Sequence, residues 1–175
     1  SRIDFKYKNL DKIVLAAKIM KNKDMDFIFH IGGDYGEIGR LKKMVHDFGL
    51  NDKFLFKGFI KDKAKFFSEI DIFCMPSKEE TFGISYIEAM AHKVPCVATN
   101  TSGALEIFLE KDCAIIIDKD NEGGISNKIY ESIQFIIIND QFMSDMIIKS
   151  LSIVEEHFSL NSLITRFKKF PKKKI

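Results

Sequence analysis

Tryptophan is absent from the 175-residue chain, and so is any Cys-x-x-Cys, His-Glu-x-x-His or Gly-x-Gly-x-x-Gly run. The three cysteines, at 74, 96 and 113, are odd in number and sit in apolar surroundings. That excludes a closed disulfide framework and a dithiol redox motif, and reads as reduced, buried strand cysteines of a cytosolic protein. The four histidines, at 30, 46, 92 and 157, have no metal-ligand spacing, so no metal site is expected. Without a Walker loop or the dinucleotide fingerprint, P-loop and dinucleotide-binding classes fall away. Without Gly-x-Ser-x-Gly, a serine hydrolase is unsupported. Purely apolar runs, such as 114–117 and 135–138, are four or five residues at most, against the ~20 that span a bilayer. Ser1-Arg2-Ile3-Asp4 contains no signal peptide, and the missing initiator Met is read as a start inside a larger protein.

Charge is sparse in net terms, at +2, and unevenly placed. Residues 157–175 carry Arg166, Lys168, Lys169, Lys172, Lys173 and Lys174 and no acid, which leaves 21 basic against 25 acidic residues elsewhere. A mildly acidic body with a basic tail is not a duplex-binding composition, so no nucleic-acid partner is expected. Such a tail is most often a solvated end. Its sharper alternative is contact with anionic lipid. With 46% apolar and 30% charged residues, the chain is an ordinary globular one of single-domain size.

Short apolar runs at 27–31, 54–56, 71–75, 94–99 and 114–117 end at glycine, proline or polar residues. They are apolar throughout rather than alternating, as strands covered on both faces are. Amphipathic stretches lie between and after them, at 10–20, 37–48, 62–70, 83–92, 125–138 and 140–157. Ser159 is placed to cap a last helix through residue 170. This alternation predicts an α/β domain with a Rossmann-like, doubly wound parallel sheet and extra C-terminal helices over about 140–170.

In such sheets ligands sit at the C-terminal ends of the strands. Two loops fall there. The first, 31–37, holds Gly32 and Gly33, which allow backbone to approach a phosphate or sugar; a plain strand-to-helix turn explains it equally well. The second runs from Pro76 into a helix starting near Gly83. Phe82, Gly83 and Ile84 offer amides at that helix N-terminus, where an anion such as a diphosphate is favoured. Glu80 precedes the amides and Glu88 follows Ile84 by one turn, on the same face. Two carboxylates flanking an anion site fit a polyhydroxylated phosphate ligand, a nucleotide sugar. Alone, Glu80 is a helix-start acid and Glu88 a solvated residue; the whole constellation favours the ligand. Arg2 and Lys8 flank a short N-terminal segment, either as scattered surface charge or as cations for a diphosphate.

These residues resemble glycosyltransferase family four, the retaining enzymes of the GT-B fold. Glu80-Thr-Phe-Gly-Ile-Ser-Tyr-Ile-Glu88 is similar to the family's E-x7-E motif. Asp71-Ile-Phe-Cys-Met-Pro-Ser77 resembles the strand before it, and Val94-Pro-Cys-Val-Ala-Thr99 the strand after it. Ser102-Gly103-Ala104-Leu105-Glu106 resembles the family's Gly-Gly turn, with Ser102 replacing the first glycine. His92-Lys93 departs from the usual small residue and glycine. The wording around 53–77 and 81–99 is most similar to bacterial enzymes of lipopolysaccharide core or surface-glycan assembly, mannosyltransferases among them.

The resemblance implies that residues 1–175 form one nucleotide-sugar-binding C-terminal domain, with the N-terminal acceptor domain absent. It implies a hexosyltransferase that moves sugar from a GDP- or UDP-linked donor to a lipid-linked or polysaccharide acceptor. By the same resemblance Arg2 and Lys8 hold the diphosphate, and Glu80 bonds the donor sugar near the reacting carbon. Thr81, Phe82, Gly83 and Ile84 contact the sugar and phosphate, Glu88 binds the ribose, and Ile60 lies near the base, with Gly32 and Gly33 in the facing loop. No metal and no other cofactor is implied, and the setting is cytoplasmic, at the inner face of the membrane. The acceptor is reached through the absent domain, so this domain alone is expected not to transfer sugar efficiently. Two alternatives stand beside this: a non-catalytic remnant or interaction module keeping the fold, and a nucleotide-sugar epimerase domain.

Overall fold

A computed structural model describes residues 2–108, 111–121 and 124–162. The last part of the helix expected through residue 170 and the basic tail lie outside the described residues. Among the described residues there are seven strands: β1 (Arg2–Ile3), β2 (Phe29–Gly32), β3 (Asp34–Gly36), β4 (Phe54–Gly58), β5 (Phe73–Met75), β6 (Cys96–Thr99) and β7 (Ile115–Ile117). They alternate with α1 (Phe5–Lys8), α2 (Leu10–Asn22), α3 (Ile38–Asp47), α4 (Lys63–Ser68), α5 (Ile84–Ala91) and α6 (Ser102–Ile107). α7 (Ile125–Ile138) and α8 (Asp140–Ile153) close the order, and α8 widens into a π turn over Val154–Phe158.

Every named strand pair is parallel: β1 with β3, β2 with β4, β5 with β6, and β6 with β7. The parallel, doubly wound reading therefore holds, because parallel neighbours need the helical crossovers that the sequence supplies. β6 shows why its residues are apolar throughout. Val97 packs into one core with Ile13 and Ala17 of α2 and Ile129 and Ile133 of α7. Cys96 and Ala98 point the other way, into a second core with Tyr86 and Met90 of α5 and Ile107 of α6. One strand thus serves two hydrophobic layers, as period-two geometry requires when both faces are covered.

Four local readings are corrected. The stretch 34–36, expected as loop, is strand β3, because Arg2 and Ile3 pair with Asp34 and Gly36. The N-terminal segment carries helix α1, started by the Asp4 carboxylate, which accepts from the Tyr7 N–H at 3.1 Å. Residues 102–107 are helical rather than a turn, with Thr101 Oγ1 accepting from the Ala104 N–H at 3.4 Å. Cys113 lies in a short 3₁₀ turn, not in a strand, while Cys74 and Cys96 lie in β5 and β6. Burial pushes the Cys96 thiol well above its ordinary pKa, so it packs as a small apolar side chain.

Helices α2 and α7 lie against each other beneath the sheet, and Ile129 is fully buried between them and the strands. Ile129→Ala is expected to lower unfolding free energy by about 2–5 kcal/mol in urea titration. A loss below about 1 kcal/mol would show that this layer is not tightly packed.

Candidate active site

The candidate side chains come from four segments that end at one edge of the sheet. Lys8 closes α1, Gly32 ends β2, Ile60 follows β4, and Glu80 to Glu88 spans the loop after β5 and helix α5. Parallel strands place all their C-terminal ends together, which is why segments distant in sequence meet here. A cleft of about 680 Å³ takes Lys8, Gly32, Ile60, Lys63, Ser85 and Glu88 into its lining at this edge.

Glu80 is the hub. One carboxylate oxygen is paired with the Lys8 ammonium, and the other accepts from the Gly83 N–H at 3.2 Å. The paired side chains are only 24% and 16% exposed, so the contact is shielded rather than a loose surface pair. The backbone carbonyl of Glu80 accepts from the Gly103 N–H at 2.9 Å. Three points of attachment fix the loop before α5. Tyr7 adds a fourth nearby, its carbonyl accepting from the Lys78 N–H at 2.7 Å.

Two glycines make this geometry possible. Gly83 has φ +82°, and a Cβ there would come within 2.6 Å of the Tyr86 ring. Tyr86 is fully buried and its hydroxyl donates to the Met75 carbonyl at 2.9 Å, so the ring has no room to yield. Gly103 approaches the loop so closely that a Cβ would meet the backbone of Glu80, Thr81 and Phe82 at 2.7 Å. Sequence reading placed Gly103 in a turn but not as the contact that shapes the loop. A small residue after the capping Thr101 was the available signal.

Other candidates divide. Gly32 and Ile60 do meet: a Cβ on Gly32 would stand 3.1 Å from Ile60 Cγ1. Gly33 is committed to the protein, its N–H donating to the Gly58 carbonyl at 2.8 Å. Phe82 and Ile84 have exposed side chains, and among the described residues their N–H groups have no protein acceptor. Thr81 is exposed and lines a separate hollow with Lys78, Glu79 and Lys119. Glu88 is half-buried and pairs with Lys63 at 3.0 Å, a partner sequence reading did not anticipate. Of Arg2, the structure describes the backbone, in β1 beside Asp34. His30 lines the deeper part of the cleft, where burial lowers its pKa and leaves Nδ1 without a partner.

The chemistry available is that of anion and hydroxyl recognition. A lysine ammonium, unpaired amides at a helix N-terminus and two carboxylates converge within two turns of α5. Residues 2–149 match the family described as glycosyl transferases group 1. The chain belongs to that family. Among its relatives is a 2-deoxystreptamine N-acetyl-D-glucosaminyltransferase of Niallia circulans, 30% identical over 135 residues, covering 76% of this chain and 34% of the relative. An N-acetyl-alpha-D-glucosaminyl L-malate synthase of Bacillus anthracis is 23% identical, covering 93% and 41%. The chain thus spans about a third to two-fifths of the length of these curated relatives. The fold matches Staphylococcus aureus TarM, crystallised with fondaparinux, alpha-GlcNAc-glycerol and UDP, at TM-score 0.83 and 24% identity over 96% of this chain and 33% of that one. It also matches Anabaena HepE, crystallised with UDP and glucose, at TM-score 0.83 and 21% identity over 96% and 45%. These are the GT-B glycosyltransferase folds, and this chain has the Rossmann-like half.

Gly83→Ala is expected to cost about 1–3 kcal/mol, because it forces an ordinary residue into left-handed backbone against a fixed ring. Gly39→Ala, in helix α3 with nothing within 4 Å of its Cβ, is expected to stabilise by about 0.5–1 kcal/mol. Urea titration of both variants checks the pair. Effects of equal sign would contradict the assigned roles.

Proposed function

We propose that the domain binds a UDP-linked hexose and serves as the donor half of a retaining glycosyltransferase. The observation that carries this is the shared carboxylate of Glu80, held between the Lys8 ammonium and the Gly83 amide at the C-terminal edge of the parallel sheet. On this reading the diphosphate takes the position between Lys8, Arg2 and the amides of Phe82 and Ile84, while the Gly83 N–H stays on Glu80. The negative charge that grows on the leaving diphosphate is then met by fixed dipoles and ammonium, without a metal. Glu80 stays close enough to bond the donor sugar, and its pairing with Lys8 and the Gly83 N–H holds it in one orientation. Thr81 lies at the outer side of the same loop.

Glu88 reads the ribose hydroxyls. Its bond to Lys63 leaves acceptor capacity on the carboxylate, and both side chains are accessible to an entering nucleoside. Ile60, packed beside Gly32, offers an apolar wall to the base, and the bare backbone of Gly32 lets the sugar approach. Uridine is favoured over guanosine by the ligands named for TarM and HepE. An N-acetylglucosaminyl donor is favoured by the activities named for the Niallia and Bacillus relatives. The mannosyl and lipopolysaccharide reading rests on sequence wording alone. Surface-glycan assembly more broadly gains support from an Escherichia coli O-antigen relative, 26% identical over 103 residues.

The acceptor, on this reading, is a glycan or lipid-linked sugar brought by a second domain, at the cytoplasmic face of a membrane. Among the described residues no helix is long and apolar enough to cross one. The basic tail is the element proposed to touch anionic lipid. The alternative of a remnant module predicts intact folding without nucleotide affinity.

Calorimetric titration with uridine and guanosine diphosphates tests the reading. Uridine diphosphate is expected to bind more tightly, and Glu88→Ala to weaken it by about 1.5–3 kcal/mol. Absence of binding to both, or affinity unchanged by Glu88→Ala, would overturn the assignment.

A further inference from the structure

Among the described residues two lysines line the cleft, Lys8 and Lys63. The first is held at the loop before α5 by its pairing with Glu80. The second opens α4, shortly after Ile60, and its ammonium donates to Glu88 Oε2 at 3.0 Å. Among the described residues this is the one side-chain bond that either group makes. An ammonium has further N–H donors and a carboxylate further acceptor positions. Glu88 therefore enters the cleft with one oxygen engaged by Lys63 and with Oε1 taken by no protein group.

The backbones under this pair are tied together. Asp62 caps α4, its carboxylate accepting from the Lys65 N–H at 2.9 Å and its carbonyl from the Phe66 N–H at 3.1 Å. One turn after Lys63, Phe67 is buried and stacks on the His92 ring, with centroids 5.2 Å apart. His92 closes α5, and its Nδ1 lies 2.7 Å from the Glu88 carbonyl. A carbonyl oxygen only accepts, so Nδ1 carries the proton and donates. His92, which departs from the usual small residue at its position, thus joins α4 to the turn that carries Glu88. The Lys63 and Glu88 backbones are held at one spacing by contacts other than their own ion pair.

An ion pair this open contributes little to folding, since the side chains are 48% and 28% exposed. Its consequence is orientation. A free glutamate samples many rotamers, and a ligand that needs one of them must first order the side chain. With the cleft read as a nucleotide site, on which this rests, we propose that Lys63 is a positioning residue for ribose recognition. It holds the Glu88 carboxylate in the orientation that accepts from the ribose hydroxyls, and the preference of the site for ribose over deoxyribose depends on it. A cation that only attracted the diphosphate would favour both nucleotides equally, because the charge of the ligand is the same.

Calorimetric titration with uridine diphosphate and with 2′,3′-dideoxyuridine diphosphate separates these roles. Lys63→Met is expected to weaken uridine diphosphate by about tenfold, with Tm unchanged. It is expected to leave the dideoxy nucleotide within about twofold, so that the preference for the ribonucleotide shrinks. Lys63→Arg keeps charge and donors, and is expected to keep most of that preference. In a Glu88→Ala background no carboxylate is left to orient, and adding Lys63→Met is expected to change uridine diphosphate affinity by less than about twofold. Equal losses for the two nucleotides, a preference unchanged by Lys63→Met, or a full Lys63→Met loss in the Glu88→Ala background would overturn the proposal and leave the nucleotide reading intact. Absence of uridine diphosphate binding to the unsubstituted protein would overturn both.

Discussion

Everything at the candidate site depends on one constraint: parallel strands buried on both faces. That burial makes the strands apolar throughout, forces a helix between each pair, and gathers the C-terminal strand ends and helix starts at one edge. β6 carries the constraint most visibly, dividing Val97 from Cys96 and Ala98 between two cores. Thr99 ties that strand to the site, its hydroxyl donating to the Ser77 carbonyl in the loop after β5. Among the described residues the N–H groups of Phe82 and Ile84 open at this edge without a protein acceptor.

Within that edge Glu80 joins segments that share no secondary structure. Its side chain links α1 to the start of α5, and its backbone links the same loop to α6. A carboxylate satisfied by an ammonium and an amide is held in one orientation, which is what recognition of a sugar hydroxyl needs. Gly83 and Gly103 matter for the opposite reason, since each supplies closeness by having no side chain.

The strand–helix alternation was legible because uninterrupted apolar runs and helical periodicity are strong local signals. The boundaries of α7 read from the sequence coincide with those observed, since Gly124 and Asn139 punctuate a clear repeat. β1 and β3 were not legible: Arg2–Ile3 and Asp34–Gly36 are short and polar, and only their pairing makes them strands. Glu80, Gly83 and Glu88 were found through their spacing around one helix start. Lys63, which meets Glu88 from 25 positions away, and Gly103 were invisible because long-range packing creates those contacts.

Mapping amide chemical shifts as uridine diphosphate is added tests the central claim most directly. The amides of Phe82 to Ser85 and of Gly32 are expected to move together, with those of β7 and α8 unchanged. Shifts confined to the hollow lined by Lys78, Thr101 and Lys119 would contradict it, because the anion would then sit on the wrong side of the Glu80 loop.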